Sequence, residues 1–176
     1  LLFLSAGSVI HAVSDEQDMR KMGSLSKFLP LTYSLMLIGS LSLSGFPFLS
    51  GFYSKDFIIE LSQVASCSSL NMSYGLFACW LASSAIFFTA FYSFRLVYLT
   101  FLNSSNTSRV IVLNIHESSW LITLPLLILG FGSIFIGYLT KDIFIGFGSD
   151  FWGSSIFILP CNSYVLEAEW LPSFIK

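Results

Sequence analysis

The sequence predicts an all-α integral membrane protein with about four transmembrane helices, one of them broken. Hydrophobic residues make up 55% of the 176 residues and charged residues only 10%, whereas a soluble domain carries roughly 25% charged residues. The apolar stretches are long runs without the alternation of a membrane-spanning β-barrel. One of these runs, residues 30–60, contains a cluster of proline and glycine that interrupts a helix.

Composition also excludes several classes of function. The net charge of -2 gives no basis for a nucleic-acid partner. The three cysteines, Cys67, Cys79 and Cys161, match neither a disulfide framework nor a metal-binding motif. We therefore expect packing thiols, no metal site, and lipid as the main surrounding medium.

The first apolar run, residues 1–13, is too short to span a membrane. At 1.5 Å per residue it covers roughly 20 Å, against a hydrocarbon core of about 30 Å. A helix that starts inside the membrane leaves N–H groups without partners, so we expect an adjoining polypeptide at Leu1. His11, near the end of this run, is either an interfacial histidine or a member of a proton relay.

Residues 14–29 form a polar segment in which three acids and three bases nearly cancel, and we interpret it as a solvated loop. The following run, residues 30–60, would be roughly 45 Å long as one helix, which exceeds the membrane core. Pro47 breaks a helix near residues 43–47, and Gly45 and Gly51 bracket that break. The freed backbone groups must face protein or water, which places this helix inside a bundle.

Two ionisable side chains, Lys55 and Asp56, follow the break directly. A charge in the membrane costs about 3 kcal/mol on insertion scales and typically marks an ion or proton path. Transporters build their sites from such discontinuous helices. Glu60 lies one helical turn beyond Asp56 and would continue the path. The alternative for Lys55 is snorkelling from the helix end to the interface.

The remaining segments are two further spans and their connections. We predict a serine-rich loop at residues 61–73, a span at 74–101, a polar loop at 103–118 and a span at 120–139. Arg95, in the last turns of the first span, either snorkels or lines a polar path. Three glycines give the second span a small-residue face for close helix packing: Gly130, Gly132 and Gly137.

Lysine and arginine predict the orientation. Arg20, Lys21, Lys27 and Arg109 lie in the two loops on one side of the predicted helices. That side therefore faces the matrix or the cytoplasm.

Four stretches resemble the chain 5 family of mitochondrial NADH–ubiquinone oxidoreductase, respiratory complex I. They are residues 2–11 (LFLSAGSVIH), 15–23 (DEQDMRKMG), 45–56 (GFPFLSGFYSKD) and 91–95 (FYSFR), and the His116-Glu117 loop also fits. The resemblance is strong over residues 1–140 and weaker beyond them. The DEQDMRKMG run favours this family over plastid relatives and multisubunit sodium/proton antiporters, which share the fold.

The resemblance implies an antiporter-like, proton-translocating subunit that crosses the mitochondrial inner membrane several times. Residues 1–140 would form part of its second antiporter-like repeat and the following helices. Residues 141–176 would form an interfacial or re-entrant segment and a tail. The family's subunit is much longer, so the chain is expected to be an excerpt or a separately encoded fragment.

The resemblance also implies which subunits are the partners of this chain and which subunits bind the redox cofactors. No redox cofactor is expected on this chain, because FMN, iron–sulfur clusters and ubiquinone bind other subunits of the complex. The expected partners are other membrane-arm subunits, including the chain that carries the missing N-terminal part of subunit 5.

Residue by residue, Lys55 matches the family's broken-helix lysine and Asp56 its neighbouring acid. His11 matches a polar residue of the preceding helix, and Arg95 lies in a family-like stretch.

Two alternatives for the function stay open: a structural fragment that completes the membrane arm, and a subunit of a multisubunit cation/proton antiporter. Quinone or haem binding is not supported, because the sequence has no paired-histidine arrangement, cysteine cluster or glycine-rich nucleotide loop.

Overall fold

The computed structural model describes residues 1–67, 72–145, 151–153 and 155, and this part of the chain is helical without any strand. Most of the segment predicted at residues 141–176 lies outside the described residues. The described helices are α1 (Leu2–Ala12), α2 (Pro30–Ser44), α3 (Ser50–Cys67), α4 (Met72–Val97), α5 (Arg109–Asn114) and α6 (Trp120–Phe144). Two short 3₁₀ turns, Met19–Lys21 and Leu25–Lys27, lie between α1 and α2, and a π-helical turn, Tyr98–Leu102, continues α4.

The described residues contain two helices that are long and apolar enough to cross a membrane, Tyr74–Leu102 and Trp120–Phe144. Two further apolar helices, Leu2–Ala12 and Pro30–Ser44, are shorter. The predicted all-helical, apolar architecture is thus confirmed, whereas the predicted number of about four spans is not.

Two predicted helix ends and one predicted loop are wrong. Helix α3 continues to Cys67, where a loop was predicted from residue 61; Ser62 donates to the Ile59 carbonyl at 2.7 Å, so its hydroxyl is satisfied within the helix. Helix α6 extends to Phe144 rather than 139, with Lys141 in the last turn, where the helix dipole favours a cation. Helix α5 forms inside the predicted polar loop 103–118; its Ile111, and Ile115 directly after it, pack against the core.

The buried core lies at the end of the molecule where the loop 14–29 joins α1 to α2. Its fully buried apolar residues come from α1, this loop, α2 and the π-helical turn: Val9, Val13, Met22, Leu25, Leu29, Met36 and Phe101. The loop is therefore anchored by its own apolar residues, and the prediction of a solvated loop holds only for its charges. Arg20 pairs with Asp18 at 2.8 Å and, through its hydrogen bonds, holds the pKa of that carboxyl at about 2.

Glycines bring α6 close to α2 and α3. A Cβ on Gly130 would lie 2.5 Å from Leu35 Cδ2, and a Cβ on Gly137 would meet the backbone of Ser50. The predicted close packing is confirmed at these two positions. It is wrong for Gly132, whose nearest neighbour is Ile136 of the same helix.

Candidate functional site

The helix interruption lies between α2 and α3. Helix α2 ends at Ser44 and is capped by Gly45, which has a left-handed backbone with φ of 88°, a conformation that glycine adopts without steric cost. The Phe46 N–H donates to the Leu41 carbonyl at 3.0 Å, which is typical of a glycine-capped helix end. The chain passes Pro47 and Phe48 and re-enters a helix at Ser50. The break thus spans residues 45–49, and Gly51 already belongs to the first turn of α3.

The first turn of α3 is held tightly against the end of α2. The Gly51 N–H donates to Ser42 Oγ at 3.3 Å, and the Ser42 and Ser50 hydroxyl oxygens lie 3.3 Å apart. A Cβ on Gly51 would fall on the Ser42 carbonyl oxygen. Backbone groups at the break therefore find partners within the protein, as irregular backbone at membrane depth requires.

Lys55 reaches back from α3 across this break. Its ammonium donates to the Leu43 carbonyl at 3.3 Å and to Thr89 Oγ1 at 2.8 Å. The Leu43 carbonyl belongs to the last turn of α2, where carbonyl groups lack helical partners and the helix dipole favours a cation. One side chain thus links the end of α2, the start of α3 and the middle of α4.

Thr89 is a site residue that the sequence interpretation missed. Its hydroxyl donates to the Ile86 carbonyl at 2.8 Å while accepting from Lys55. The available signal was a single hydroxyl in the apolar run 85–91, since polar groups in a membrane span are unusual and often functional.

The two acids predicted for the site lie further along α3. Asp56 is half-buried, and Glu60, one turn beyond it, is 7% exposed. Consecutive side chains on a helix do not face each other, and Lys55 and Asp56 both lie in regular helix. The ammonium of Lys55 therefore reaches back to the break, whereas the two acids follow Lys55 along α3.

His11 lies at the other end of the molecule. Helices α1 and α2 run antiparallel, with Leu2 packed near Gly39, so His11 is roughly 14 Å along α1 from the end that lies near the break. The imidazole is exposed, and its Nδ1 lies 3.8 Å from Asp15 Oδ1. The structure does not bring His11 together with Lys55.

Arg95 is also separate from the break. It lies on α4 six residues after Thr89, which is about 9 Å along the helix. The side chain is exposed and borders an apolar groove of about 520 Å³ formed with Tyr33, Leu37 and Phe91. It belongs to a different surface from the one that holds Lys55.

A cavity of about 540 Å³ adjoins the break on the side of α1. Serine hydroxyls from three helices line it, together with apolar residues that include Leu1 and Leu43; the serines are Ser42, Ser50, Ser54 and Ser133. Among the described residues, no group of three or more histidine, cysteine or acidic side chains could hold a metal ion.

The start of α2 is held by an acid from a distant part of the chain. Glu117, just before α6, accepts from the Leu31 N–H at 2.9 Å and from the Thr32 hydroxyl at 3.0 Å. The Leu31 N–H is one of the backbone donors at the helix start that lack partners within the helix. Each end of α2 is therefore held by a charged side chain from another helix or its flank, Glu117 at one end and Lys55 at the other.

Two known protein families match successive stretches of the chain. Residues 1–82 match the family described as NADH:quinone oxidoreductase/Mrp antiporter, TM, and residues 92–147 match the NADH dehydrogenase subunit 5 C-terminus. Over its full length the chain is 66% identical to NADH-ubiquinone oxidoreductase chain 5 of Chondrus crispus. It is 56% and 54% identical to the chain 5 proteins of Marchantia polymorpha and Phytophthora infestans. Over its whole length the chain thus matches one part of NADH–ubiquinone oxidoreductase chain 5.

The chain spans about a quarter of the length of these chain 5 relatives, 26% of each. The antiporter-type match contains the break and Lys55, and the chain 5 C-terminal match contains Arg95 and Glu117. Thr89 lies between the two matched stretches.

Proposed function

We propose that this chain is part of the proton-translocating membrane arm of respiratory complex I, where NADH:ubiquinone electron transfer is coupled to proton pumping. The location would be the mitochondrial inner membrane, crossed several times by the subunit. The high identity to chain 5 proteins over the whole chain and the two apolar helices of membrane-spanning length support this proposal.

The observation that carries the proposal is Lys55 on a broken helix, with its ammonium at the end of α2. An amine in this position takes up or releases a proton as neighbouring charges change, and Lys55 is the proposed switching group. Asp56 and Glu60 are the proposed acceptors that carry the proton along α3. His11 and Arg95, which lie elsewhere, would contribute only through parts of the complex outside this chain.

The proposed chemistry on this chain is proton transfer alone. FMN, the iron–sulfur clusters and ubiquinone are assigned to other subunits of the complex. The proposed partners are lipid, the other membrane-arm subunits and the polypeptide that carries the remainder of chain 5.

Replacement of Lys55 tests the proposal. In assembled complex I reconstituted into vesicles, Lys55→Ala should lower the number of protons pumped per NADH oxidised, because the switching amine is gone. Lys27→Ala is the matched control, since Lys27 is exposed in the loop before α2 and should pump normally. A normal proton-to-electron ratio in assembled Lys55→Ala complex would overturn the proposed role.

A second candidate function has its own support in the structure. A lysine that merely caps α2 would also contact the Leu43 carbonyl, and the chain would then be a structural part of the membrane arm. Lys55→Arg separates the two functions, because arginine stays protonated while it still donates to carbonyls. Normal pumping by Lys55→Arg favours the structural role, and loss of pumping with intact assembly favours proton transfer.

A further inference from the structure

We propose that Thr89 is a positioning residue for proton transfer at Lys55, and that its hydroxyl holds the ammonium on the α4 side of the helix break. This inference rests on the proposed function, because it assigns Thr89 a role through Lys55. It adds to the site an α4 residue that the sequence interpretation did not name.

The geometry fixes the direction of the interaction. The Thr89 hydroxyl has a single proton and donates it to the Ile86 carbonyl at 2.8 Å. Its oxygen therefore presents lone pairs to Lys55, whose ammonium lies 2.8 Å away. This contact is 0.5 Å shorter than the 3.3 Å contact with the Leu43 carbonyl. The hydroxyl is thus oriented as an acceptor for the charged lysine.

The surroundings of Thr89 make this oxygen difficult to replace. Its neighbours Phe87, Phe88 and Phe91 present exposed aromatic side chains along α4. Without the hydroxyl, the Leu43 carbonyl is the remaining hydrogen-bond acceptor of Lys55 among the described residues. The ammonium would then shift towards the end of α2 and away from α4.

The expected size of the effect follows from the charge on the donor. A hydrogen bond to a charged group changes an equilibrium by on the order of tenfold or more. Loss of the Thr89 acceptor should therefore depopulate the α4-side position of Lys55 by about that factor. Proton transfer that requires this position should fall while the fold of α4 is unchanged.

The test uses two substitutions of different chemistry in the intact complex. Thr89→Val keeps the side-chain shape and removes the hydroxyl, so the protons pumped per NADH should fall towards the Lys55→Ala value. Thr89→Ser keeps the hydroxyl and should retain the wild-type ratio. Thr140→Val is the matched control, because the Thr140 hydroxyl donates to the Ile136 carbonyl of its own helix; it should pump normally. If the valine complex assembles poorly, Thr89→Ala provides a smaller side chain without a hydroxyl.

A double variant shows whether Thr89 acts through Lys55. In the Lys55→Ala background, Thr89→Val should cause no further loss, since the group that it positions is absent. Additional loss in the double variant, normal pumping by Thr89→Val, or equal loss in Thr89→Ser and Thr89→Val would each overturn the inference. Normal pumping by Lys55→Ala would instead refute the proposed function itself, so the two failures are distinguishable.

Discussion

At the scale of single residues, Glu117 shows how far a side chain can act from its own helix. An acid two residues before Ser119, the N-cap of α6, would be expected to stabilise α6, but its carboxylate binds the start of α2. Local sequence gives no signal for this contact, because it joins positions 86 residues apart. Lys55 was predictable, since a charge beside a proline break is visible in the sequence. The hydroxyl of Thr89 in an apolar run was visible too, but its contact with Lys55 was not predictable, because the packing of α3 against α4 brings the two side chains together.

Replacement of Glu117 should loosen the start of α2. Glu117→Ala leaves the Leu31 N–H without its acceptor, and losing a helix N-cap costs about 1 kcal/mol. Hydrogen exchange of the residue 31 amide, measured in the assembled complex, should therefore become faster. Glu117→Gln keeps one carbonyl oxygen and should have an intermediate effect. An unchanged exchange rate in Glu117→Ala would show that this cap contributes nothing.

At the scale of helices, the break was predicted from Pro47 and the flanking glycines. The hydrogen bonds that join α2 to α3 at the break were not predicted. Gly51 looks in the sequence like a second source of flexibility, but it lies in regular helix and allows close contact with Ser42. The position of the loop 14–29 was likewise not predictable from the sequence. Its charges dominate the composition, although Met22, Leu25 and Leu29 decide its position by joining the core. Such burial depends on helices that are distant in sequence.

The close contact at Gly51 gives a prediction for the break itself. Gly51→Ala would place a Cβ on the Ser42 carbonyl oxygen, so α2 and α3 must separate at the break. We expect less assembled complex on native gels and a lower proton-to-electron ratio in what does assemble. Gly7→Ala is the matched control, because a Cβ on Gly7 of α1 has no neighbour within 4 Å. Equal behaviour of the two variants would contradict this role of Gly51.

At the scale of the whole molecule, the connecting segments 14–29 and 103–118, which hold four of the eight lysines and arginines, contact each other. The Asn106 side-chain amide donates to the Arg20 carbonyl and the Thr107 hydroxyl to the Lys21 carbonyl, each at 3.0 Å. The prediction that these loops share one side came from the alternation of loops along successive predicted spans, whereas the contacts between the loops are visible only in the fold.

This shared side can be tested by labelling from one face of the membrane. Lys27→Cys and Arg109→Cys introduce thiols at exposed positions in the two loops. Both should react with a membrane-impermeant maleimide only when the matrix face is accessible, because lysine and arginine concentrate on that face. The wild-type chain, with its native cysteines, gives the background. Labelling of the two variants from opposite faces would contradict the arrangement.

The contact of Lys55 with the Leu43 carbonyl ties the charge state of the side chain to the length of a helix. A neutral amine donates more weakly than an ammonium, so loss of the proton loosens the last turn of α2. Thermodynamic linkage makes this relation reciprocal: any force that extends or shortens α2 at its end must also change the proton occupancy of Lys55. A displacement that reaches α2 from elsewhere in the membrane could thus be converted into proton release without any charge having to approach the lysine.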